Sequence, residues 1–133
     1  MTEVKKGTEL WVTTPDETGV LGKLSQTVAA TGINIIAMTA YGQENKGYFR
    51  LLTTDNAKTR ETLKAQGWQV DEKDVLLVEV SNKPSTLAPV AQKIANAGID
   101  INHCYGTSAD GNKVLLVFST KDNEKAFGII SQV

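Results

Sequence analysis

Two adjacent carboxylates, Asp16 and Glu17, precede a Thr-Gly pair and an amphipathic run in the stretch PDETGVLGKL. Such a pair could bind a metal ion, belong to the D-x-x-G motif of a nucleotide switch, or interact with the free N–H groups at a helix start. A nucleotide switch also needs the phosphate-binding loop G-x-x-x-x-G-K-[ST], which the sequence lacks. No further catalytic partners for the two carboxylates are evident, so we predict neither a nucleotide site nor catalysis there.

His103 and Cys104 are the only histidine and the only cysteine of the chain. On a predicted strand, neighbouring side chains point to opposite faces, and one residue of each type is too few for a zinc site. No Ser-His-Asp set can form without His103. Neither Arg50 nor Arg60 lies in a glycine-rich anion loop, which an acylphosphatase-like enzyme would need. We therefore expect no enzyme activity, no metal and no cofactor.

The segment KGYFRLL (Lys46–Leu52) resembles the opening of an RNA-binding signature, and Trp11, Tyr48 and Arg50 are predicted to share one sheet face. However, the signature requires a small residue at Phe49 and an aromatic residue at Arg50. The formal charge of −1 and the isoelectric point near 5.8 also provide no basic field for phosphates. We predict no nucleic-acid partner.

The termini and the hydropathy pattern indicate a soluble protein. The N-terminus MTEVKKGTEL has no apolar core of a signal peptide, and no apolar run reaches the roughly 18 residues that would span a membrane. A single cysteine precludes an intrachain disulfide and suits a reducing compartment. These features predict a cytoplasmic protein with no membrane partner.

An internal repeat organises the 133 residues. A shift of 66 positions, from residue 19 to residue 85, places GVLGKLSQTVAATGINI on STLAPVAQKIANAGIDI. The same shift places YFRLLTT (residues 48–54) on VLLVFST (residues 114–120) without a gap. Apolar character is kept through the predicted strands and helices. The pattern predicts two copies of one structural unit.

Each copy is predicted to be a β-α-β-β-α-β, or ferredoxin-like, unit, which makes the fold class α+β. The predicted domains are residues 8–72 and 73–133. The sequence ends after the second helix of copy two, so its last strand is predicted to be lacking or shortened. Either that copy has an open sheet edge or another segment fills the place.

The first predicted helix begins after Asp16, Glu17 and Thr18, where acidic residues and a Thr N-cap are favourable. Gly19 in its first turn weakens a helix, but it is useful where something must approach the backbone closely. Asn56 is predicted to cap the second helix.

The strands of copy two carry apolar residues at both odd and even positions, which predicts burial of both sheet faces. In the gapless alignment, Leu77, Val114, Leu116 and Phe118 fall on the face without helices. An exposed apolar patch of this kind is an aggregation liability. We therefore predict a homodimer or a higher homo-oligomer.

The segment DETGVLGKLSQTVAATGINI resembles the signature of ACT domains, in which Gly-Val-Leu opens the first helix and Gly-Ile-Asn-Ile opens the second strand. ACT domains are small βαββαβ regulatory modules that bind amino acids and related metabolites. Two in tandem resemble the stand-alone tandem ACT proteins of bacteria and archaea. The resemblance implies a non-catalytic regulatory protein with an amino-acid ligand and a regulated metabolic enzyme as partners. The alternative is a ligand-free oligomerisation or protein-interaction module.

The resemblance also implies the binding residues, because ACT ligands lie between two domains, against the loop after strand one and the Asn that opens strand two. In copy one the implied residues are Asp16, Glu17, Thr18, Gly19, Val20, Leu21, Asn34 and Ile35. In copy two they are Asn82, Pro84, Ser85, Thr86, Leu87 and Asp100. Because Ser85 places a Cβ where Gly19 has none, copy one is predicted to hold the better site.

Overall fold

The computed structural model describes residues 2–108 and 111–133, which belong to two compact units. The first unit is Thr8–Lys73. The second unit combines the start of the chain, through Gly7, with Asp74–Val133. The division of the chain therefore assigns residues 2–7, which precede the first predicted domain, to the second unit.

Ten elements follow one another along the chain. They are β1 (Glu3–Pro15), α1 (Val20–Ala29), β2 (Ile35–Gln43), β3 (Lys46–Thr53), α2 (Asn56–Lys64), β4 (Gln69–Ser81), α3 (Leu87–Asn96), β5 (Ile101–Thr107), β6 (Lys113–Thr120) and α4 (Asn123–Ile130). The long strands β1 and β4 each continue from one unit into the other. Among the described residues, no helix combines the length and apolar character needed to cross a membrane.

The first unit has the strand order β2-β3-β1-β4, and β3 pairs antiparallel with both β1 and β2. Alternate residues of its central strands, including Leu10 and Leu51, point to the face covered by the helices. They pack against Leu24 of α1 and Leu63 of α2. All four side chains are fully buried, and burial of each is worth about 1.5–3 kcal/mol.

The second unit has the strand order β1-β4-β6-β5, in which residues 3–7 of β1 lie beside β4. Val4 packs against the core formed around Val78, Ile94 and Phe118. The start of the chain therefore occupies the place of the fourth strand that copy two lacks. This confirms the predicted ferredoxin-like fold for both units and shows that another segment fills the edge.

Strand pairing corrects the gapless alignment of the two copies. Leu10 pairs with Leu51 in the first unit, and Leu76 pairs with Phe118 in the second. The shift is therefore 66 residues in the first strand of each unit but 67 in the third, because Thr107 and Leu115 are one residue further apart in sequence than their counterparts Tyr41 and Tyr48. One extra residue reverses the face to which every following side chain of the strand points.

The predicted apolar patch on the face without helices is wrong in three of its four residues for the same reason. Leu116 and Phe118 belong to the core under the helices, whereas Leu77 pairs with Val117 on the opposite face. Val114 packs against that same core. The homo-oligomer prediction therefore no longer rests on Val114, Leu116 and Phe118, although Leu77, Leu115 and Val117 place apolar side chains on the face without helices.

Asp55, and not Asn56, is the N-cap of α2, since its side chain accepts a hydrogen bond from the Lys58 N–H at 3.0 Å. The Asn56 side chain has a different role, because its amide donates to the Thr8 carbonyl at 2.9 Å. In the second unit, Asp122 caps α4 in the same way, so both second helices begin with an Asp-Asn pair. The prediction therefore missed the cap by one residue.

Candidate functional site

A cleft of about 270 Å³ lies in the first unit, where β1 ends and α1 begins. One wall is the loop between these elements, and the other is the end of the β2–β3 hairpin. The lining residues are Thr14, Pro15, Asp16, Glu17, Gly19, Val20, Leu21, Ala40, Tyr41, Gly42, Gly47 and Phe49. Five of the loop residues that the resemblance implied are therefore brought together, namely Asp16, Glu17, Gly19, Val20 and Leu21.

The start of α1 has no side-chain cap. Its N-cap is Gly19, in the left-handed region at φ +89°, and the prediction that Thr18 caps the helix is wrong. The backbone amides of Leu21 and Gly22 have no hydrogen-bond partner among the described residues. Free N–H groups and the positive end of the helix dipole make this helix start favourable for a carboxylate.

Two glycines, Gly42 and Gly47, lie on the hairpin wall of the cleft and let neighbouring side chains approach its backbone closely. A Cβ on Gly42 would lie 3.0 Å from Oδ2 of Asp16, and a Cβ on Gly47 would lie 2.7 Å from Oγ1 of Thr14. Only glycine therefore leaves these neighbours in place. Neither glycine was predicted as a site residue; the gapless shift of 66 already matches Gly42 with Ser108, whereas only the correct register of β6 matches Gly47 with Val114.

The charged side chains of the cleft lining are both acidic. Asp16 and Glu17 are exposed, and no lysine, arginine or histidine is among the lining residues. The Asp16 carboxylate has no hydrogen-bond partner among the described residues, while its backbone N–H donates to the Asn45 carbonyl at 3.1 Å. The cleft thus combines Leu21, whose backbone N–H is free among the described residues and adjoins that of Gly22, with a carboxylate that is available to a cation.

The structure does not bring Asn34 and Ile35 to this cleft. Ile35 begins β2 and pairs with Thr53, whereas the cleft lies at the far end of the same strand, at Gly42. At about 3.3 Å per residue, the two ends are about 23 Å apart. The Asn34 backbone forms two hydrogen bonds with Thr54, at 3.0 and 3.1 Å, and its side chain is exposed. One copy of the first unit cannot place Asn34 beside Asp16.

In the second unit the corresponding loop has an equivalent backbone hydrogen bond, but α3 begins one repeat position later, with Thr86 as its N-cap. The Asn82 N–H donates to the Asn112 carbonyl at 2.9 Å, as that of Asp16 does to Asn45. Ser85 is left-handed at φ +69°, which for a residue other than glycine costs roughly 1–2 kcal/mol. The Asn82 side chain also donates to the Gly111 carbonyl at 3.0 Å, so it is used to hold the turn.

The other residues implied for the second unit are in two places, the loop before α3 and the start of β5. Pro84 is in the exposed turn, Thr86 is the N-cap of α3 without a side-chain cap bond, and Leu87 is 47% exposed. Asp100 precedes β5, and its carbonyl accepts from the Lys121 N–H at 2.9 Å. Asp100 therefore lies, like Asn34 in the first unit, away from the loop.

The face of the first unit without helices has no open stacking platform at Trp11. The Arg50 guanidinium carbon lies 3.8 Å from the centre of the Trp11 ring. Tyr48 stacks on Tyr41 with ring centres 5.3 Å apart. Trp11, Tyr48 and Arg50 do share a face as predicted, but arginine already occupies the indole surface that a base would need.

Within the described residues, no three His, Cys, Asp or Glu side chains are grouped so that they could hold a metal ion. Cys104 is an exposed residue of β5, yet partial burial of its thiol raises the pKa of that group. A raised pKa disfavours the thiolate, which is the nucleophilic form.

The ACT domain pair family matches residues 7–132 of the chain. Among solved structures, a protein from Bacteroides thetaiotaomicron is 22% identical, with a TM-score of 0.89 over 97% of this chain and 89% of that chain. The ligand-free regulatory subunit of aspartate kinase from Thermus thermophilus is 16% identical, with a TM-score of 0.70 over 97% and 95% of the two chains. At these identities the likeness establishes the fold. Among curated proteins there is no match.

Proposed function

Since the chain belongs to the ACT domain pair family, we propose that it is a non-catalytic regulatory protein that binds a small amino acid in the cleft of the first unit. The observation that carries this proposal is that, within the described residues, neither the amide donors at the start of α1 nor the carboxylate of Asp16 has a hydrogen-bond partner. An amino acid has the complementary pair of charges at its α-carbon.

The α-carboxylate of the ligand would accept hydrogen bonds from the amides of Leu21 and Gly22, where the helix dipole adds to the attraction. Its ammonium group would pair with Asp16, and charge-assisted hydrogen bonds of this type are about twice as strong as neutral ones. Val20 and Phe49 supply apolar surface for a side chain. The volume of about 270 Å³ suits a small molecule.

Asn34 takes part in this proposal only through a second copy of the chain. Because β2 carries Asn34 at one end and Gly42 at the other, a neighbouring subunit would have to present its Asn34 to the cleft. We therefore propose a homodimer, or a higher homo-oligomer, in which ligand binding favours one arrangement of the subunits. A ligand shifts such an equilibrium only by its difference in affinity for the two arrangements.

The regulated partner is proposed to be a metabolic enzyme. The solved structures with this fold include the regulatory subunit of aspartate kinase from Thermus thermophilus and an E. coli aspartokinase III in complex with aspartate and ADP. The first is a regulatory subunit of an enzyme, and the second is an enzyme complex that contains an amino acid. These likenesses support a regulatory role.

A thermal-shift assay with each common amino acid tests the proposal. A ligand present at about 100 times its Kd stabilises the folded chain by about 2.7 kcal/mol, which raises the melting temperature by several degrees. Asp16→Asn should weaken binding about tenfold or more and so reduce the shift, whereas Asp71→Asn, the same charge change at an exposed position of β4, should preserve it. If no amino acid at about millimolar concentration raises the melting temperature, the proposal is wrong.

A further inference from the structure

The cleft of the first unit and its counterpart in the second unit differ in their strand-paired residues. Thr14 pairs with Gly47 in the first unit, while Val80 pairs with Val114 in the second. The uniform shift of 66 residues would instead have matched Gly47 with Lys113 and hidden this difference. With the corrected register, a branched side chain stands where the cleft has a glycine.

Val114 lies over the neighbouring strand of the second unit. Its Cγ1 is 3.6 Å from the position that a Cβ of Gly106 would take, and Gly106 is the counterpart of Ala40 in the cleft wall. The Val114 side chain also packs against the core of that unit. The second unit therefore has a branched side chain where the first unit has the bare backbone of Gly47, against which Thr14 Oγ1 packs.

The side chains of the loop are also more constrained in the second unit than in the first. The counterpart of Gly42 is Ser108, whose Oγ is 3.5 Å from the Nδ2 of Asn82. The same Nδ2 donates to the Gly111 carbonyl at 3.0 Å, so Asn82 is held in the second unit. Asp16 has no such partner in the first unit, and the missing Cβ of Gly42 leaves room for its carboxylate.

We propose that each chain binds one amino acid, in the first unit, and that Gly42 and Gly47 determine this by keeping the cleft open. The proposal rests on the proposed function and adds the number of sites and the residues that set it. Gly42 is a positioning residue, because it acts through Asp16. Gly47 acts by letting Thr14 pack against its backbone, whereas the corresponding pair in the second unit is Val80 and Val114.

Isothermal titration calorimetry with the amino acid that stabilises the wild-type chain tests the proposal. We expect one ligand per chain. Gly42→Ala should weaken binding about tenfold or more, the loss of one charge-assisted hydrogen bond, because the new Cβ displaces the Asp16 carboxylate. Since the displaced atom is the end of an exposed side chain, the unliganded variant should keep its melting temperature.

Gly128→Ala is the matched control, because Gly128 lies in α4 of the second unit with no heavy atom within 4 Å of an added Cβ. It should bind like the wild type. The double variant Gly42→Ala, Asp16→Asn should bind no more weakly than Asp16→Asn alone, since both changes remove one interaction. A merely structural effect of Gly42→Ala would add to that of Asp16→Asn.

Two ligands per chain, or unchanged binding by Gly42→Ala, would overturn the inference and leave the proposed function standing. If no amino acid binds the wild-type chain, both fail. The packing difference has a ligand-free test by NMR, in which we expect a nuclear Overhauser effect between the Val114 methyl groups and the Gly106 α-protons. Its absence would overturn the inference regardless of any ligand.

Discussion

Alanine at Gly19 should destabilise the chain, whereas alanine at Gly22 of the same helix start should stabilise it. Gly19 has φ +89° and lies where α1 begins, while Gly22 is inside α1. An added Cβ would meet no heavy atom within 4 Å at either position. The two substitutions therefore differ in backbone conformation and not in contacts.

The magnitude follows from two opposing terms. A residue with a Cβ in the left-handed region costs roughly 1–2 kcal/mol, and alanine recovers about 0.4–1 kcal/mol by restricting the unfolded chain. Gly19→Ala should therefore lower the free energy of unfolding by about 1 kcal/mol. At Gly22 only the favourable terms act, so alanine should raise it by about 0.5–1 kcal/mol.

The assay is urea unfolding of the unliganded protein followed by tryptophan fluorescence. Both tryptophans, Trp11 and Trp68, lie in the first unit, so the signal reports the unit that contains both glycines. Midpoints should move in opposite directions while the slopes remain those of the wild type. Equal effects of the two substitutions, in either direction, would refute the assignment of Gly19 to the left-handed region.

Deletion of residues 2–7 should speed hydrogen exchange in the second unit and leave the tryptophan fluorescence of the first unit unchanged; uniform loss of protection in both units would contradict the role of this segment as a fourth strand. Asp55→Ala and Asp122→Ala should each cost about 1 kcal/mol in chemical unfolding as lost N-caps, and costs near zero would reassign the caps. Burial raises the pKa of Cys104, so its rate of alkylation by iodoacetamide should reach half its maximum above about pH 8.5, the usual thiol pKa. A midpoint below that pH would contradict the raised pKa. Since the described residues that line the cleft include no cation, amino acids with acidic side chains should bind more weakly than neutral or basic ones, and calorimetry giving the reverse order would argue against the Asp16 contact.

The repeated hydrophobic pattern was sufficient to predict both ferredoxin-like units, because burial under the helices keeps apolar residues at matching positions. It was insufficient for the register of β6. The single extra residue lies in the turn before that strand, and few identities between the copies are available to locate it. The sequence also did not indicate that residues 2–7 form a strand of the second unit. That stretch is mostly polar, and its contact with a core is made by Val4.

The loop residues of the cleft were predicted through the family resemblance and the unusual glycine at the helix start. Gly42 and Gly47 were missed because a glycine has no side chain by which a chemical role can be recognised. Their effect depends on which neighbour would meet a Cβ, and this is known only once Asp16 and Thr14 are placed in three dimensions. Asn34 was grouped with the loop by resemblance, although the length of β2 separates them within one unit.

The most direct test of the central claim is an ¹⁵N–¹H NMR titration of the chain with the amino acid that raises its melting temperature. The amide signals of Leu21 and Gly22 should shift most, because their N–H groups are proposed to bind the ligand carboxylate. The corresponding signals of Leu87 and Ala88 in the second unit should remain in place. Shifts confined to the second unit, or unchanged signals at Leu21 and Gly22 when ligand is bound, would contradict the account.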